Sequence, residues 1–381
     1  MRNPMTKQSE KSKWVLLMAL GCLSLAATGC GKENAQASPT QQLQPVGGPD
    51  WYEFLRKRDA QYHKATETYG PLLVRTGVFT NTSPITPWSS SYFPNVDRWA
   101  FDDARTSALA KYDAYVKRTR GYDPKTRQWQ SDRWTQEGGN SIAGWEGLCN
   151  AWSFASLIQA QPTRETNPKG LGIRFGVGDL KYLLFKTYEY TVPELTYGED
   201  AAHPLNGTLP DLNDIYPDQF HRVLQAELLE QGRPFIIDRR PDAQVWNHPI
   251  YWAKTTIERD PSNPNRVTVS TLLLGANEVA DRDYNGAMVN MPFEYDYELF
   301  GTWQADGNFK VELGFWMGGS RLLHPDYVIP LQDFKRGSPQ EAIDRGTSPT
   351  SIPRSWTRSS RTPPADGTLV PSCTLSGCSS S

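Results

Sequence analysis

Residues 234–258, PFIIDRRPDAQVWNHPIYWAKTTIE, mark the point where the chain changes from helix-forming to strand-forming sequence. Upstream, apolar residues recur at helical spacing over residues 101–120, and the same reading predicts helices over 50–68, 149–160 and 218–232. Downstream, strand-forming residues alternate or run continuously, and turn sequences such as DPSNPN and ADGN separate the runs. The five strand candidates are PFIID, QVWNHPIYWAKTTIE, NRVTVSTLLL, EYDYELFGTW and NFKVELGFW. The sequence therefore predicts an α+β fold with a helical N-terminal portion and a mostly antiparallel sheet in the C-terminal half.

The N-terminal segment carries the pattern of a bacterial lipoprotein signal peptide. Lysines precede an apolar run, residues 14–27, and two small residues come directly before Cys30. The apolar run is too short to span about 30 Å of hydrocarbon comfortably. We therefore expect residues 1–29 to be removed and Cys30 to be lipidated, which predicts a lipid-anchored, extracytoplasmic protein of the bacterial cell envelope. An ordinary signal peptide with an incidental cysteine is the alternative interpretation.

Net charge and aromatic content indicate which kinds of binding partner the protein has. The net charge of −2 argues against a nucleic-acid binder, since such proteins normally show a basic surplus. Thirteen Trp and seventeen Tyr provide more large amphipathic side chains than a minimal core requires. No nucleic-acid partner is therefore predicted, and aromatic side chains are available for a binding surface.

The cysteines leave one thiol without an assignment. Cys22 would leave with the signal peptide and Cys30 would take the lipid. Cys373 and Cys378, five residues apart, predict a small disulfide loop in an oxidising compartment. Cys149 remains, and an unpaired cysteine outside the cytoplasm is a liability unless it is buried or used.

Cys149 stands at the predicted N-terminus of a helix, within GWEGLCNAWSFAS, residues 144–156. Unsatisfied backbone N–H groups and the positive end of the helix dipole favour the thiolate there. The same N–H groups could hold the oxyanion of an acyl-transfer reaction, and Gly144 and Gly147 permit a tight entry to the helix. The alternative interpretation is a buried, inert thiol, because free cysteine packs like a small hydrophobe.

Two histidines are candidates for the base that a nucleophilic thiol needs. His221 lies in the helix predicted from Asp218 to Gly232, and Asp238 ends the strand PFIID, where its carboxylate could face back toward that histidine. His248 is flanked by aromatic residues, as in a cleft. Residue spacing does not separate the two candidates. The candidate substrate-binding residues nearby in the sequence are Trp145, Trp152, Trp246 and Asn247.

Several blocks of the sequence, in the same order, resemble the transglutaminase elicitor family. They cover roughly residues 140–331 and read GWEGLCNAWSFASLI, FGVGDLKYLL, DLNDIYPDQFHRVL, PFIIDRRPDAQVWNHPI, YDYELFGTWQADG and LGFWMGGSRLLHPDYVIP. The family contains secreted cysteine enzymes of plant-pathogenic oomycetes and their bacterial relatives, which form isopeptide bonds between glutamine and lysine side chains. The resemblance therefore implies a papain-like cysteine-enzyme core and acyl transfer to an amine.

Carried over by position, the resemblance assigns the nucleophile to Cys149, the base to His221 and the orienting carboxylate to Asp238. Two positions depart from the family's pattern. His248 stands where the family has glutamine in its Val-Trp-Asn-Gln-Pro-Val stretch, and Asn150 stands where the family has a histidine after the cysteine. His248 therefore stays a second candidate base.

A short acidic loop raises the question of calcium. The sequence requires no cofactor, but the resemblance makes a calcium ion a candidate, since calcium dependence is known in the family. In DRDYNG, Asp281, Asp283 and Asn285 alternate before Gly286, as in the front half of a calcium loop. The twelfth position, where a calcium loop has glutamate, is Pro292. An ordinary turn rich in Asp and Asn is the favoured interpretation.

The predicted organisation follows from these features. After the signal peptide, residues 30–49 form a flexible tether, and residues 50–335 form the catalytic domain, with a helical part (50–233) and a sheet part (234–335). Residues 336–381 form a tail rich in Ser, Pro and Thr.

Three functions remain in consideration. The first is a transglutaminase-like acyltransferase whose substrates are proteins with an accessible glutamine and an amine donor. The second is a papain-like peptidase or amidase that uses the same residues with water as the acceptor. The third is a non-catalytic envelope binding protein on the same scaffold.

Overall fold

The computed structural model describes residues 64–199, 214–241 and 244–331, and the backbone of residues 334–336. The predicted signal peptide, Cys30, the tether, His203, most of the C-terminal tail and the Cys373–Cys378 disulfide lie outside the described residues. Within the described ranges, no helix is both long enough and apolar enough to cross a membrane.

The helices of the described residues lie mainly in the first half of the chain. Helix α1 includes residues 64–69. The others are α2 (Ala108–Arg120), α3 (Thr126–Gln136), α4 (Cys149–Ile158), α5 (Val177–Lys186) and α6 (Pro217–Leu224), which continues as a π-helical turn, Gln225–Glu230. Short 3₁₀ turns are Gly139–Ser141, Pro168–Gly170 and Gly318–Arg321.

The strands pair in an antiparallel arrangement, most of them in one main sheet. Those before residue 200 are β1 (Leu73–Val74), β2 (Gly77–Thr82), β3 (Thr191–Pro193) and β4 (Tyr197–Gly198). Those that follow are β5 (Phe235–Asp238), β6 (Asn247–Arg259), β7 (Arg266–Ala276), β8 (Asn290–Trp303), β9 (Phe309–Trp316), β10 (Tyr327–Pro330) and β11 (Phe334–Arg336). The order across the main sheet is β1-β9-β8-β7-β6-β5-β10-β4, β2 also pairs with β6, and β3 pairs separately with β11. The predicted α+β class, with a mostly antiparallel C-terminal sheet, is confirmed.

Helix α2 begins later than the sequence predicts. Residues 101–107 form turns, because the Asp103 side chain accepts hydrogen bonds from the backbone N–H groups of Arg105 and Thr106, which holds this segment out of the helical conformation. The helix then begins after Ser107, whose hydroxyl accepts from Ala110 N, and ends at Gly121 in the left-handed conformation.

Helix α6 also begins at a different residue from the predicted one. Asp218 is not the N-cap; Tyr216 is, and Pro217 occupies the first helical position, where its missing N–H costs nothing. The predicted end is close to the observed one, because the N–H of Gly232, with φ of 65°, donates to Leu228 O.

Strands β1 and β2 join the main sheet, and the sequence analysis did not predict them. The side chains of β2 are exposed or half-buried along its whole length, so this strand lacks the alternation that identifies a half-buried strand. β2 pairs with residues 252–257 of β6, and β5 pairs with residues 247–250 of the same strand. One edge of β6 is therefore shared between β5 and β2, while the other edge pairs with β7.

Strands β5 and β10 separate two hydrophobic clusters of the described residues. Phe235 and Ile237 belong to the cluster formed by the sheet and α6, whereas Ile236 belongs to the cluster formed by α2, α4 and α5. Val328 and Ile329 of β10 divide in the same way, as alternation along a strand requires. Helix α4 packs against β6 on the helical side, and this arrangement sets the position of the candidate site.

Candidate active site

The turn before α4 is fixed by close backbone contact with residues 92–95. Leu148 N donates to Tyr92 O at 2.6 Å, and Asn95 N donates to Glu146 O at 2.7 Å. Gly147 is required at this contact, because a Cβ there would lie 2.8 Å from Tyr92 O and 2.5 Å from the Tyr92 ring. The sequence predicts a tight entry to the helix here, and in the structure Gly147 gives room to Tyr92.

Cys149 is the first residue of α4, as the sequence predicts, and its thiol is buried. The Sγ atom donates a weak hydrogen bond to Val245 O at 3.4 Å. Burial raises the pKa of the Cys149 thiol to about 11, and the nearby carboxylates of Asp238 and Glu278 act in the same direction. Backbone groups of Asn247 and Asn150 act to lower the pKa but do not prevail. The expected thiolate at the helix N-terminus is therefore not the form present in this conformation.

The start of β6 is joined to α4 by a buried polar network. Ser153 Oγ lies 2.9 Å from Cys149 O and 2.8 Å from Asn247 O. Tyr327 donates its hydroxyl to Asn247 Oδ1 at 2.9 Å. Asp238 lies opposite Asn247 in the β5–β6 register, and its Oδ1 accepts from Trp246 N at 2.9 Å. These bonds fix the residues that cover the thiol.

His248 lies next along β6 and is fully buried. Its Nδ1 lies 3.1 Å from Ala276 O, so Nδ1 carries the hydrogen and donates to the carbonyl. The Nε2 atom, which then holds the lone pair, lies 3.4 Å from Glu278 Oε1 and 3.5 Å from an Arg239 nitrogen. Burial lowers the pKa of His248, which keeps the imidazole neutral. In the described part of the chain, no hydrogen bond joins the Cys149 thiol to an imidazole.

An aromatic pair lies over the covering segment. The rings of Tyr92 and Trp246 meet edge to face, with centroids 5.2 Å apart, and both side chains are half-buried. The Arg239 guanidinium lies 4.7 Å from the centroid of the Trp246 ring. Tyr92 donates its hydroxyl to Gly144 O, which joins this pair to the turn before Cys149.

His221 lies elsewhere. Its Nδ1 is 2.6 Å from the Tyr297 hydroxyl, within the cluster of the sheet and α6, and burial lowers its pKa to about 3. The structure brings Asp238 and Asn247 close to Cys149 and places His248 next to Asn247 on β6, whereas His221 bonds to Tyr297 instead. The expected pairing of His221 with Asp238 is also absent among the described residues. By alternation along β5, the Asp238 side chain lies on the face of Ile236, whereas His221 lies in the cluster on the other face.

A sequence model described as transglutaminase elicitor matches residues 118–268. Over these residues the chain is similar to the transglutaminase elicitor family. Among solved structures, the GP42 transglutaminase from Phytophthora sojae is similar, with a TM-score of 0.51 and 18% sequence identity. The similarity covers 71% of this chain and 90% of that one, and it establishes a shared fold. No curated protein matches the chain.

Two other predicted substrate contacts, Trp152 and Trp145, lie in different surroundings. Trp152 is fully buried, donates its indole N–H to Trp88 O at 2.8 Å and packs edge-on against His248. The structure therefore corrects its assignment from a substrate contact to a packing residue. Trp145 is half-buried in the turn before α4.

Sequence reasoning missed Glu278, which completes the surroundings of His248. Glu278 follows β7 by two residues, and β7 pairs with β6 across the predicted DPSNPN turn. Counting the antiparallel register outward from that turn places the end of β7 opposite His248, so this signal was present in the sequence. Ser90, which forms an isolated bridge with Glu278, gave no signal.

The acidic loop does not fit the calcium ion that the family implies. Asp283 Oδ1 accepts from Gly178 N at 2.7 Å, Asp281 Oδ1 accepts from Asp283 N at 3.0 Å, and Asn285 donates to Thr163 O. The fully buried Lys181 extends its ammonium to the carbonyls of Ser89 and Tyr284. No group of three or more His, Cys, Asp or Glu among the described residues could hold a metal ion.

Proposed function

We propose that the chain is a transglutaminase-like acyltransferase with Cys149 as its nucleophile. The thiolate attacks a glutamine carboxamide, ammonia leaves, and an amine resolves the resulting thioester. The observation that carries the proposal is the position of Cys149, the first residue of α4, beside the Asn247–His248 start of β6 and inside the matched region. A helix bearing the nucleophile against an antiparallel sheet is also consistent with a papain-like core, which forms part of the proposal.

We assign the base to His248 rather than to His221. The neutral His248 carries its hydrogen on Nδ1 and has its lone pair on Nε2, which is the tautomer a general base requires, although an Arg239 nitrogen lies 3.5 Å from Nε2. Asp238 supports this arrangement by holding the backbone of Trp246. Reaction requires the thiol to leave Val245 O and give its proton to Nε2, and the imidazolium would then lie beside the Glu278 carboxylate.

The test is incorporation of a fluorescent primary amine into a glutamine-containing protein, with ammonia release as a second measurement. We expect Cys149→Ala to abolish both, and His248→Gln to lower both by about a hundredfold or more. His221→Asn is the matched control, since its amide can keep a hydrogen bond to Tyr297. Unchanged rates in Cys149→Ala would end the proposal, and loss in His221→Asn with retention in His248→Gln would reverse the choice of base.

A hydrolytic enzyme would use the same thiol with water as the acceptor. Product mass separates the two reactions, because transfer yields isopeptide-linked or amine-modified proteins whereas a peptidase yields cut fragments. Predominant cut fragments would favour the papain-like peptidase or amidase.

A second candidate function, a non-catalytic binding protein, is favoured by the raised pKa of the buried Cys149 thiol. Alkylation by iodoacetamide separates it from the first. A thiol that stays in this conformation reacts slowly at pH 7, and its rate rises about tenfold per pH unit up to about pH 11. An active enzyme must open, so a glutamine-mimicking electrophile should label Cys149 faster than iodoacetamide does at pH 7. Equal, slow labelling by both would favour the binding protein.

We propose further that the mature protein is lipid-anchored through Cys30 in the bacterial envelope, where it meets protein substrates outside the cytoplasm. The pattern of the N-terminal segment supports this location. Mass spectrometry of the mature N-terminus should show a lipid-modified Cys30, and Cys30→Ala should release the protein from membranes. The mass of the C-terminal peptide before and after reduction tests the Cys373–Cys378 disulfide.

A further inference from the structure

We propose that Glu278 is the residue that binds the ammonium of the attacking amine, a primary amine on an aliphatic stem. This inference rests on the proposed function and assigns a specificity-determining residue to the same site. It distinguishes an enzyme built for transfer to a cationic amine from one that uses any available nucleophile.

The position of Glu278 is the first argument. Its Oε1 atom is buried and makes no hydrogen bond within the described residues, although it lies only 3.4 Å from His248 Nε2. With Nδ1 of His248 donating to Ala276 O, the Nε2 lone pair faces a carboxylate oxygen. Two acceptors that face each other at this distance favour a proton or a cationic donor between or beside them. Arg239 already lies 3.5 Å from Nε2, so the atom left without a donor is Glu278 Oε1, and an ammonium group with three N–H donors and a positive charge can satisfy it.

The residues around Glu278 support the same chemistry. The hydroxyl of Ser90, which bridges to Glu278 through the backbone, is also fully buried and without a hydrogen-bond partner among the described residues. Arg239 already holds a positive charge near the imidazole, against the Trp246 ring. Glu278 therefore supplies the negative charge next to His248, and its own side chain is 14% exposed, so it is reachable from solvent.

The aromatic pair suits the stem of such an amine. Tyr92 and Trp246 are half-buried, and their rings meet at 5.2 Å beside the covered thiol. The Glu278 charge acts on both the Tyr92 hydroxyl and the Cys149 thiol, which shows that the carboxylate lies within electrostatic range of both. Methylene groups can pack against these rings while the ammonium reaches the carboxylate.

The aminolysis step balances with the groups present. The bound ammonium gives one proton to His248 Nε2, and the freed nitrogen lone pair attacks the thioester carbonyl to form the C–N bond. The C–S bond breaks and its electron pair leaves on sulfur, which takes up a proton to restore the thiol. The nitrogen loses two protons in all; one ends on sulfur, and the other is taken up by the ammonia released during acylation. The products are a secondary amide, the free thiol and ammonium.

The experiment compares a cationic and a neutral nucleophile on the full-length protein, with a glutaminyl peptide as acyl donor. Dansylcadaverine presents an ammonium on an aliphatic stem, and hydroxylamine is mostly uncharged at pH 7.5. We expect Glu278→Gln to lower the ratio of their kcat/KM values by about tenfold, which corresponds to about 1.4 kcal/mol. Glu278→Asp, which keeps the charge, should restore part of the preference. Glu294→Gln, an exposed carboxylate on β8, is the matched control and should leave the ratio unchanged.

The ratio isolates recognition of the amine from effects on His248, because loss of the base lowers both rates together. Equal losses with the two nucleophiles in Glu278→Gln would overturn the inference while leaving the proposed acyltransferase intact. Absence of any acyl-enzyme or ammonia release in the wild-type protein would overturn both.

Discussion

At the scale of single residues, the site depends on contacts that hold Cys149 in place more than on groups that activate it. Gly147 lets the turn before α4 approach Tyr92, and the backbone bond from Leu148 to Tyr92 fixes that approach. The neighbouring Gly144, by contrast, has open space where a Cβ would lie. Gly147 is therefore required by a close contact and Gly144 is not, although both precede Cys149 in the same turn.

The glycine pair gives a matched prediction. Gly147→Ala should lower the free energy of unfolding by about 1–3 kcal/mol, because backbone and ring atoms of Tyr92 must shift to admit the new methyl group. Gly144→Ala should change it by less than about 0.5 kcal/mol. Urea unfolding followed by tryptophan fluorescence measures both. Equal destabilisation by the two changes would contradict the steric account.

At the scale of elements, the loop after β7 is organised around a lysine side chain. Lys181 of α5 reaches two backbone carbonyls, one in the loop and one at Ser89, and lies 4.9 Å from the centroid of the Trp88 ring. Burial lowers the pKa of Lys181 to about 8, while Asp281 and Asp283 act to raise it. The ammonium thus supplies a positive charge to a loop whose acidic residues suggested calcium.

Because Lys181 already supplies the positive charge in this loop, we expect calcium to have no effect on the stability of the protein. Chelation by EDTA or addition of millimolar calcium should shift the Tm by less than about 1 °C, because the side-chain oxygens already serve backbone donors. Lys181→Met should lower the free energy of unfolding by about 1–3 kcal/mol, because it removes the ammonium donor to Ser89 O and leaves Tyr284 O with only the longer bond from Gln161. The exposed Lys117→Met on α2 is the control. A calcium-dependent rise in Tm of several degrees would show that the loop binds the ion.

The five strand candidates and the start of α4 follow from the sequence because each carries a local pattern: alternation, turn residues, or glycines before an apolar helix. β2 carries no such pattern, since its burial is decided by pairing with β6 rather than by its own side chains. Asp238 was found as a candidate because it ends a predicted strand, and Asn247 and His248 because they lie among aromatic residues in the next predicted strand. His221 was not excluded, since only the division of the core by β5 reveals which histidine lies near Cys149.

At the scale of the whole molecule, every histidine of the described residues is buried and neutral. Burial lowers the pKa of His221 to about 3 and of His324 to about 4, and it also lowers the pKa of His248. The unfolded chain binds protons at these positions from about pH 6.5 downward, whereas the folded chain does not. The unfolded state therefore binds more protons in that range, and the free energy of unfolding must fall as the pH falls.

Acid sensitivity between pH 6.5 and 4 is the expected result. The urea midpoint should decrease steadily over this range and change little from these groups between pH 7 and 8. His221→Asn should make the decrease shallower, because it removes one of the three groups while keeping a hydrogen-bonding side chain beside Tyr297. A midpoint that stays constant or rises on acidification would contradict the assigned pKa directions.

The strand order has a practical consequence for fragments of this chain. The region of family similarity ends at residue 268, inside β7, and it lacks β2 as well as β8 and β9. Expressed alone, that stretch would leave β6 without its β2 neighbour and would cut β7 short, so ladder groups that are paired here would become available to other molecules. The end of the matched region is therefore a poor truncation point. A soluble expression product should extend at least from β1 through β10.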